Sequence, residues 1–258
     1  MLRALFTGRG LIATLAVLVG VAMLCRLGIW QLDRHNQRMA QNQLIEARMT
    51  MPPVSIDAAP ADDLDYRHVT VRGVFDPSQE ILLRNREYGG ATGYHILTPL
   101  RMADGRAVLV DRGWVPLDAQ DPERRMLYAA PAGEVAIDGV ARRSQSDIGG
   151  PEDPPTGPLM PRLDAWFRVD IGRIQQQTGY PLLPVFVEQQ PAPDDPKQPP
   201  LRLRTEGLGL GSHLGYSIQW FAFAIILAVG YVVLVRRQLR GPKRAAQPPG
   251  VQEPQAAE

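Results

Sequence analysis

Two uncharged tracts, one near each end of the sequence, restrict this chain more than any other feature. From Gly10 to Cys25 sixteen residues carry no charge, and beyond Arg26 the apolar run resumes as "LGIWQL" to Leu32. From Leu214 to Val235 twenty-two residues carry no charge. As a helix this second tract would measure about 33 Å, close to the hydrocarbon thickness of a bilayer. Arg26 can reach the interface from within the first tract on its long aliphatic stem. The sequence therefore predicts two transmembrane helices, 10–32 and 213–235. A cleaved signal peptide is the alternative for the first, since a basic start before an apolar core fits that pattern too. Against it, leucine precedes Cys25 where a lipoprotein signal wants a small residue, and "LGIWQLDR" carries the helical pattern past any cleavage point.

Flanking cations set the orientation. Arg236, Arg237, Arg240, Lys243 and Arg244 follow the second tract, and Arg3 and Arg9 precede the first. Basic segments stay on the cytoplasmic side. Both termini, 1–9 and the basic, Pro-rich tail 236–258, are expected inside, with residues 33–212 outside. Arg26, Arg34 and Arg38 count against this, but two spans force the termini to share a side and the C-terminal cluster is the densest. The start is too short to hold an organelle transit peptide, so the expected location is a bacterial inner (plasma) membrane.

Between the spans, "HNQRMAQNQLIEARM" (35–49) continues the first helix, and the pattern then turns to period two. In "YRHVTVRGVF" (66–75) Val69, Val71 and Phe75 share one face. The runs 80–85, 93–100, 106–115, 133–143 and 182–188 repeat this between Gly, Pro and Asp turn signals. One helix is expected at 171–178, stopped by "GYP". The fold class is thus a membrane protein of α+β type: two transmembrane helices flanking an antiparallel β-rich extracytoplasmic domain. Pro-rich stretches at 147–161 and 189–200 read as loops.

Composition removes several functions. A net charge of +1 gives no electrostatic footprint for nucleic acid. The single cysteine, Cys25, rules out an intrachain disulfide framework. No nucleophile elbow, zinc-protease helix or phosphate loop is present, and "GLGLGS" (207–212) fails the dinucleotide pattern because Leu214 stands where a third glycine belongs. The expectation is a protein that is not an enzyme. Asp62, Asp63 and Asp65 read as a solvated turn rather than a cation site. Trp114, after "VLV" (108–110), reads as a core aromatic rather than a partner anchor.

Four histidines remain, at 35, 68, 95 and 213. His68 and His95 fall in strand patterns and read as half-exposed strand residues. His35 and His213 each lie just past the same end of a span, at similar depth in an antiparallel helix pair. His213, Tyr216, Ser217 and Trp220 are spaced i, i+3, i+4, i+7 and share a helix face. A histidine beside aromatics suits a planar apolar cofactor such as haem, whose iron takes neutral imidazole. An aromatic belt with an interfacial histidine fits the same spacing. Arg26 or Arg34 would suit haem propionates, or equally topology and lipid headgroups.

The stretches "LGIWQLDR" (27–34), "YRHVTVRGVFD" (66–76), "GYHILTPL" (93–100), "LVDRGWVP" (109–116), "GEVAIDGVAR" (133–142), "WFRVDI" (166–171) and "HLGYSIQW" (213–220), in this order between two spans, are specific together. The chain resembles the Surf-one (surfeit locus) family of cytochrome c oxidase assembly factors from end to end, apart from its tail. The resemblance implies maturation of oxidase subunit I, with binding of haem a and its passage towards that subunit. It implies subunit I, the haem a synthesis enzyme and the lipid bilayer as partners. It also implies His213 as ligand to the haem iron; Tyr216 and Trp220 would hold the macrocycle. Some relatives carry Asn or Glu before this histidine where this chain has "GS" (211–212), which leaves the local helix cap open. A structural chaperone that steadies subunit I without haem is the alternative, and an unrecognised periplasmic enzyme a third class.

Overall fold

Helix α1 runs unbroken from Gly8 to Met49 in a computed structural model that describes residues 8–146, 149–156, 162–205, 209 and 211–240. Past the apolar tract it continues because residues 36–48 are mostly good helix formers, Gln, Arg, Met, Ala, Leu and Glu. It stops where Met51 meets Pro52 and Pro53, since a residue before proline is pushed out of the helical region. Its 42 residues span about 63 Å. Helix α5, His213–Arg240, is the other long helix. Both are long and apolar enough to cross a membrane. Arg3, Lys243, Arg244, most of the tail and part of the 147–161 loop lie outside the described residues.

The chain divides into two compact units, one built from residues up to Ala40 and from Gly209 onward, the other from Gln41 to Leu208. In the first, α1 and α5 meet where side chains are small. A Cβ on Gly28 would lie 2.8 Å from the Phe221 ring, and one on Gly20 would lie 3.1 Å from Leu227. Glycine lets the backbones approach, which is how apolar helices associate without a hydrophobic driving force between them. The Ser217 hydroxyl donates to the Gly28 carbonyl at 2.8 Å, and Thr14 bonds Tyr231 further along.

The second unit is a small barrel. Its strands are β1 (Val54–Ser55), β2 (His68–Phe75), β3 (Ile81–Tyr88), β4 (Ala91–Arg101), β5 (Ala107–Pro116), β6 (Glu134–Arg143), β7 (Ala165–Trp166) and β8 (Leu182–Gln189). Helix α2 (Ala61–Leu64) precedes β2, α3 (Pro122–Arg125) follows β5, and α4 (Ile171–Gln175) follows β7. The sheet order is β1-β2-β6-β8-β5-β4-β3-β7, and β2 also pairs with β4. That extra pairing closes the ring β2-β6-β8-β5-β4.

Six of the eight strands coincide with the period-two runs of the sequence. The antiparallel expectation needs correcting: β5–β8, β1–β2 and β3–β7 are parallel. Strand β8 reaches β5 only after the long excursion through β6, β7 and α4, and such a crossover lets two strands run the same way. The helix at 171–178 is shorter than expected, ending at Gln175 with Gln176 as cap.

Alternation along β5 explains why it is buried on both faces. Val108 and Val110 join Val71, Phe75, Leu100, Ile137 and Val187 in a core drawn from all five ring strands, which is the barrel interior. Ala107 and Leu109 face outward, packing with Leu97, Phe186, Trp166 and Ile174 under α4. Trp114 is 7% exposed and donates its indole N–H to the Arg86 carbonyl at 3.1 Å, a core aromatic with its polar edge satisfied.

Arg112 follows Val110 on the interior face and is buried with Glu80. Their side chains are 6% and 7% exposed and the guanidinium lies 2.9 Å from the carboxylate. Thr98 donates to the same carboxylate at 2.7 Å. Burial pushes the Glu80 carboxyl above its ordinary value of 4.5, outweighing the bonds from Thr98 and the attraction of Arg112. The folded state therefore keeps this proton to a higher pH than the unfolded chain, so its contribution to stability falls as pH rises from 4.5 through the raised value. Glu80→Gln should flatten that segment of the stability–pH profile, read from urea midpoints between pH 4 and 8; a profile unchanged in that window would reject the assignment to Glu80.

Candidate functional site

Helix α5 starts at His213, and the turn before it is shaped by Gly211 at φ 64°. Only glycine holds that backbone at no steric cost. This turn takes up the cap position that "GS" left open, with the Tyr216 N–H bonded to the Ser212 carbonyl at 3.0 Å. The His213 Nδ1 lies 2.9 Å from Oε1 of Gln31 on α1. An amide oxygen only accepts, so Nδ1 carries the proton and donates. Nε2 lies at the opposite edge of the ring, beside Gly211. A Cβ at position 211 would lie 3.3 Å from that nitrogen, so any side chain there would crowd the ring edge.

The face proposed from spacing is divided by the structure. Ser217 and Ala224 are buried in the seam with α1. His213 and Trp220 are half-buried at its edge, and Tyr216 is 49% exposed. Trp220 stands edge-on to Phe223, with ring centroids 6.1 Å apart and planes at 84°. Trp220, Phe223 and Tyr216 thus form an aromatic strip along one flank of the seam, and His213 stands at its end.

His35 is one turn further along α1 from Gln31, its Nδ1 buried and unpartnered among the described residues. The residue that meets His213 is Gln31, which spacing within one helix could not show because the contact crosses between helices. Arg34 donates to Gln37 at 3.1 Å and lies 5.9 Å from the Trp30 ring. In the barrel unit, Asp62 and Asp63 sit in the first turn of α2, and Asp65 accepts from the Arg143 N–H at 3.2 Å. His68 is half-buried on β2. His95, read as an ordinary strand residue, instead pairs with buried Asp111 at 2.7 Å.

A histidine whose Nδ1 is tied to a fixed acceptor has its ring orientation set, which is how proteins orient imidazoles that bind metals. Fold and site together define a class: a closed β-barrel unit inserted between two helices long enough to cross a membrane, with a histidine held from α1 where the second helix begins. A sequence model of the SURF1 family matches residues 18–225, which include His213, most of α1 and the first half of α5. The chain belongs to the SURF1 family.

It is 28% identical to a SURF1-like protein of Monosiga brevicollis, over 82% of this chain and 83% of the relative. It is 26% identical to a SURF1-like protein of Rickettsia felis, over 86% of this chain and 96% of the relative. Against Surfeit locus protein 1 of Homo sapiens it is 28% identical, over 77% and 69%.

Proposed function

We propose that this protein is an assembly factor for haem-copper cytochrome c oxidase that binds haem a and assists its insertion into subunit I. The supporting observation is the His213 imidazole, whose Nδ1 is held by Gln31 on α1 and whose Nε2 makes no hydrogen bond to a described residue. Haem a would supply an iron that takes an imidazole nitrogen and a planar apolar ring. On the protein's side, Gln31 fixes the tautomer, Nε2 of His213 is the ligand atom, and Tyr216 and Trp220 offer aromatic surface beside it.

The mechanism is binding, not catalysis. A carrier must release its cargo, and one histidine with a poor second ligand holds moderately. Oxidase subunit I and the haem a synthesis enzyme are the partners of this reading. The protein sits in the bacterial inner membrane as a two-pass protein, with both termini cytoplasmic and the barrel in the periplasm; the two apolar helices and the basic residues that follow Val235 support this placement.

The test is the optical spectrum of detergent-purified protein from cells that make haem a. The parent should show a haem band that His213→Ala lacks, with circular dichroism unchanged. A parent without haem would overturn the carrier reading and leave the haem-free chaperone in its place.

A further inference from the structure

On the outer face of the barrel, the aliphatic rows of three neighbouring strands end in charge. Two residues on from Leu109, Phe186 and Val140, and so on the same face, come Asp111, Glu188 and Arg142. The parallel register of β5 and β8 puts Asp111 directly opposite Glu188. Like charges facing each other across strands are unfavourable, so their environment has to compensate. With His95, Arg204 and Thr205 these residues line a cleft of about 240 Å³.

Each oxygen of both carboxylates accepts a hydrogen bond. Asp111 accepts at one oxygen from Nδ1 of His95 (2.7 Å) and at the other from the Gly113 N–H (3.0 Å). Glu188 accepts from Arg142 at 3.0 Å and from the Thr205 hydroxyl at 2.6 Å. The donors are in surplus. Arg86 is paired with Gly93 across β3 and β4, which puts it on the face of His95 two residues further along. Its guanidinium makes no hydrogen bond to a described residue, and burial lowers its hold on its proton despite the attraction of Asp111 and Glu188. Arg142, by contrast, is committed, bonding Glu188 and the Tyr66 hydroxyl and lying with its buried Nε 3.8 Å from Asp65. Arg204 is exposed at the cleft wall.

A cleft whose carboxylate oxygens each already hold a donor, with the Arg86 guanidinium unbonded beside it, suits a ligand that brings acceptors. We propose that this cleft binds a small monoanionic carboxylate, held by Arg204 at its wall and by Arg86, which stands beside it on the face of His95. The guanidinium fork matches the two oxygens of a carboxylate. A dianionic phosphate meets the fields of Asp111 and Glu188, which a single negative charge tolerates better. The site lies within the barrel unit and is independent of any role of His213.

The test is titration of the full chain in detergent with acetate, followed by the imidazole NMR signals of His95, one of only four histidines. Saturable shifts are expected, with affinity weakened at least about tenfold in Arg86→Gln, as loss of a charge-assisted pair implies. Arg204→Gln should weaken binding as well, while Arg124→Gln, an exposed arginine on α3, should leave it unchanged. If Arg86→Gln loses its circular dichroism, the exposed Arg204 carries the test alone. Absence of saturation, phosphate or chloride binding as tightly as acetate, or parental affinity in Arg204→Gln would overturn the proposal.

Discussion

Arg112→Met is expected to lower the unfolding free energy of the barrel unit by about 3–5 kcal/mol, the range for breaking a buried ion pair from one side. The loss is large because Arg112 has no single partner. It bonds Glu80 at 2.9 Å, Thr98 at 3.2 Å and the Tyr128 carbonyl at 2.6 Å, and it lies 5.7 Å from the Phe75 ring. Methionine restores the stem's packing but none of these bonds, and it leaves the Glu80 carboxylate buried and unpaired. Glu80 can escape that cost by taking up a proton, so the deficit should be smaller at pH 5 than at pH 8. Urea unfolding at the two pH values reads both quantities. A loss below about 1 kcal/mol, the net worth of an ordinary hydrogen bond, would show the pair to be dispensable.

Gly113→Ala should be nearly as damaging, by a different route. The backbone there sits at φ 120°, a conformation essentially restricted to glycine, and a Cβ would lie 2.4 Å from the Leu201 carbonyl oxygen. The neighbouring Trp114 exchanges two 2.8 Å backbone bonds with Leu201, so that oxygen cannot withdraw without breaking the bridge. Strain of about 1–3 kcal/mol and overpacking of about 1–3 kcal/mol together put the expected loss at about 2–6 kcal/mol. Thermal unfolding measures the loss, and Trp114 fluorescence should report the freed bridge. A variant as stable as the parent would mean that residues 201–205 do not depend on this contact.

Much of this architecture is legible in the residues. The period-two runs from "HVTVRGVF" to "LLPVFVE" mark the six main strands, because a side chain's face follows directly from its position in the chain. Pairing is not legible in this way. Nothing local to Leu182–Gln189 says that β8 runs parallel to β5, and the two-residue strands β1 and β7 are too short to show a period. The site divides along the same line. His213 is visible from its motif and its place at the start of an apolar tract, whereas Gln31 becomes meaningful only across the helix pair. Asp111 and Arg112, two charges inside the otherwise apolar "AVLVDRGWVP", were the one local signal that both faces of β5 end in polar clusters.

The ring of strands closes unevenly. Seven residue pairs join β2 to β6, but only two, Val74 with Arg101 and Phe75 with Leu100, join β2 to β4. The barrel is a rolled sheet whose edges barely overlap, and Gly73 is what lets them touch, since a Cβ there would lie 2.2 Å from the Arg101 oxygen. Opening such a seam breaks few bonds while every other ladder stays intact. The interior row of Val71, Phe75, Leu100 and Val108 is therefore separated from solvent by a latch much weaker than the walls around it.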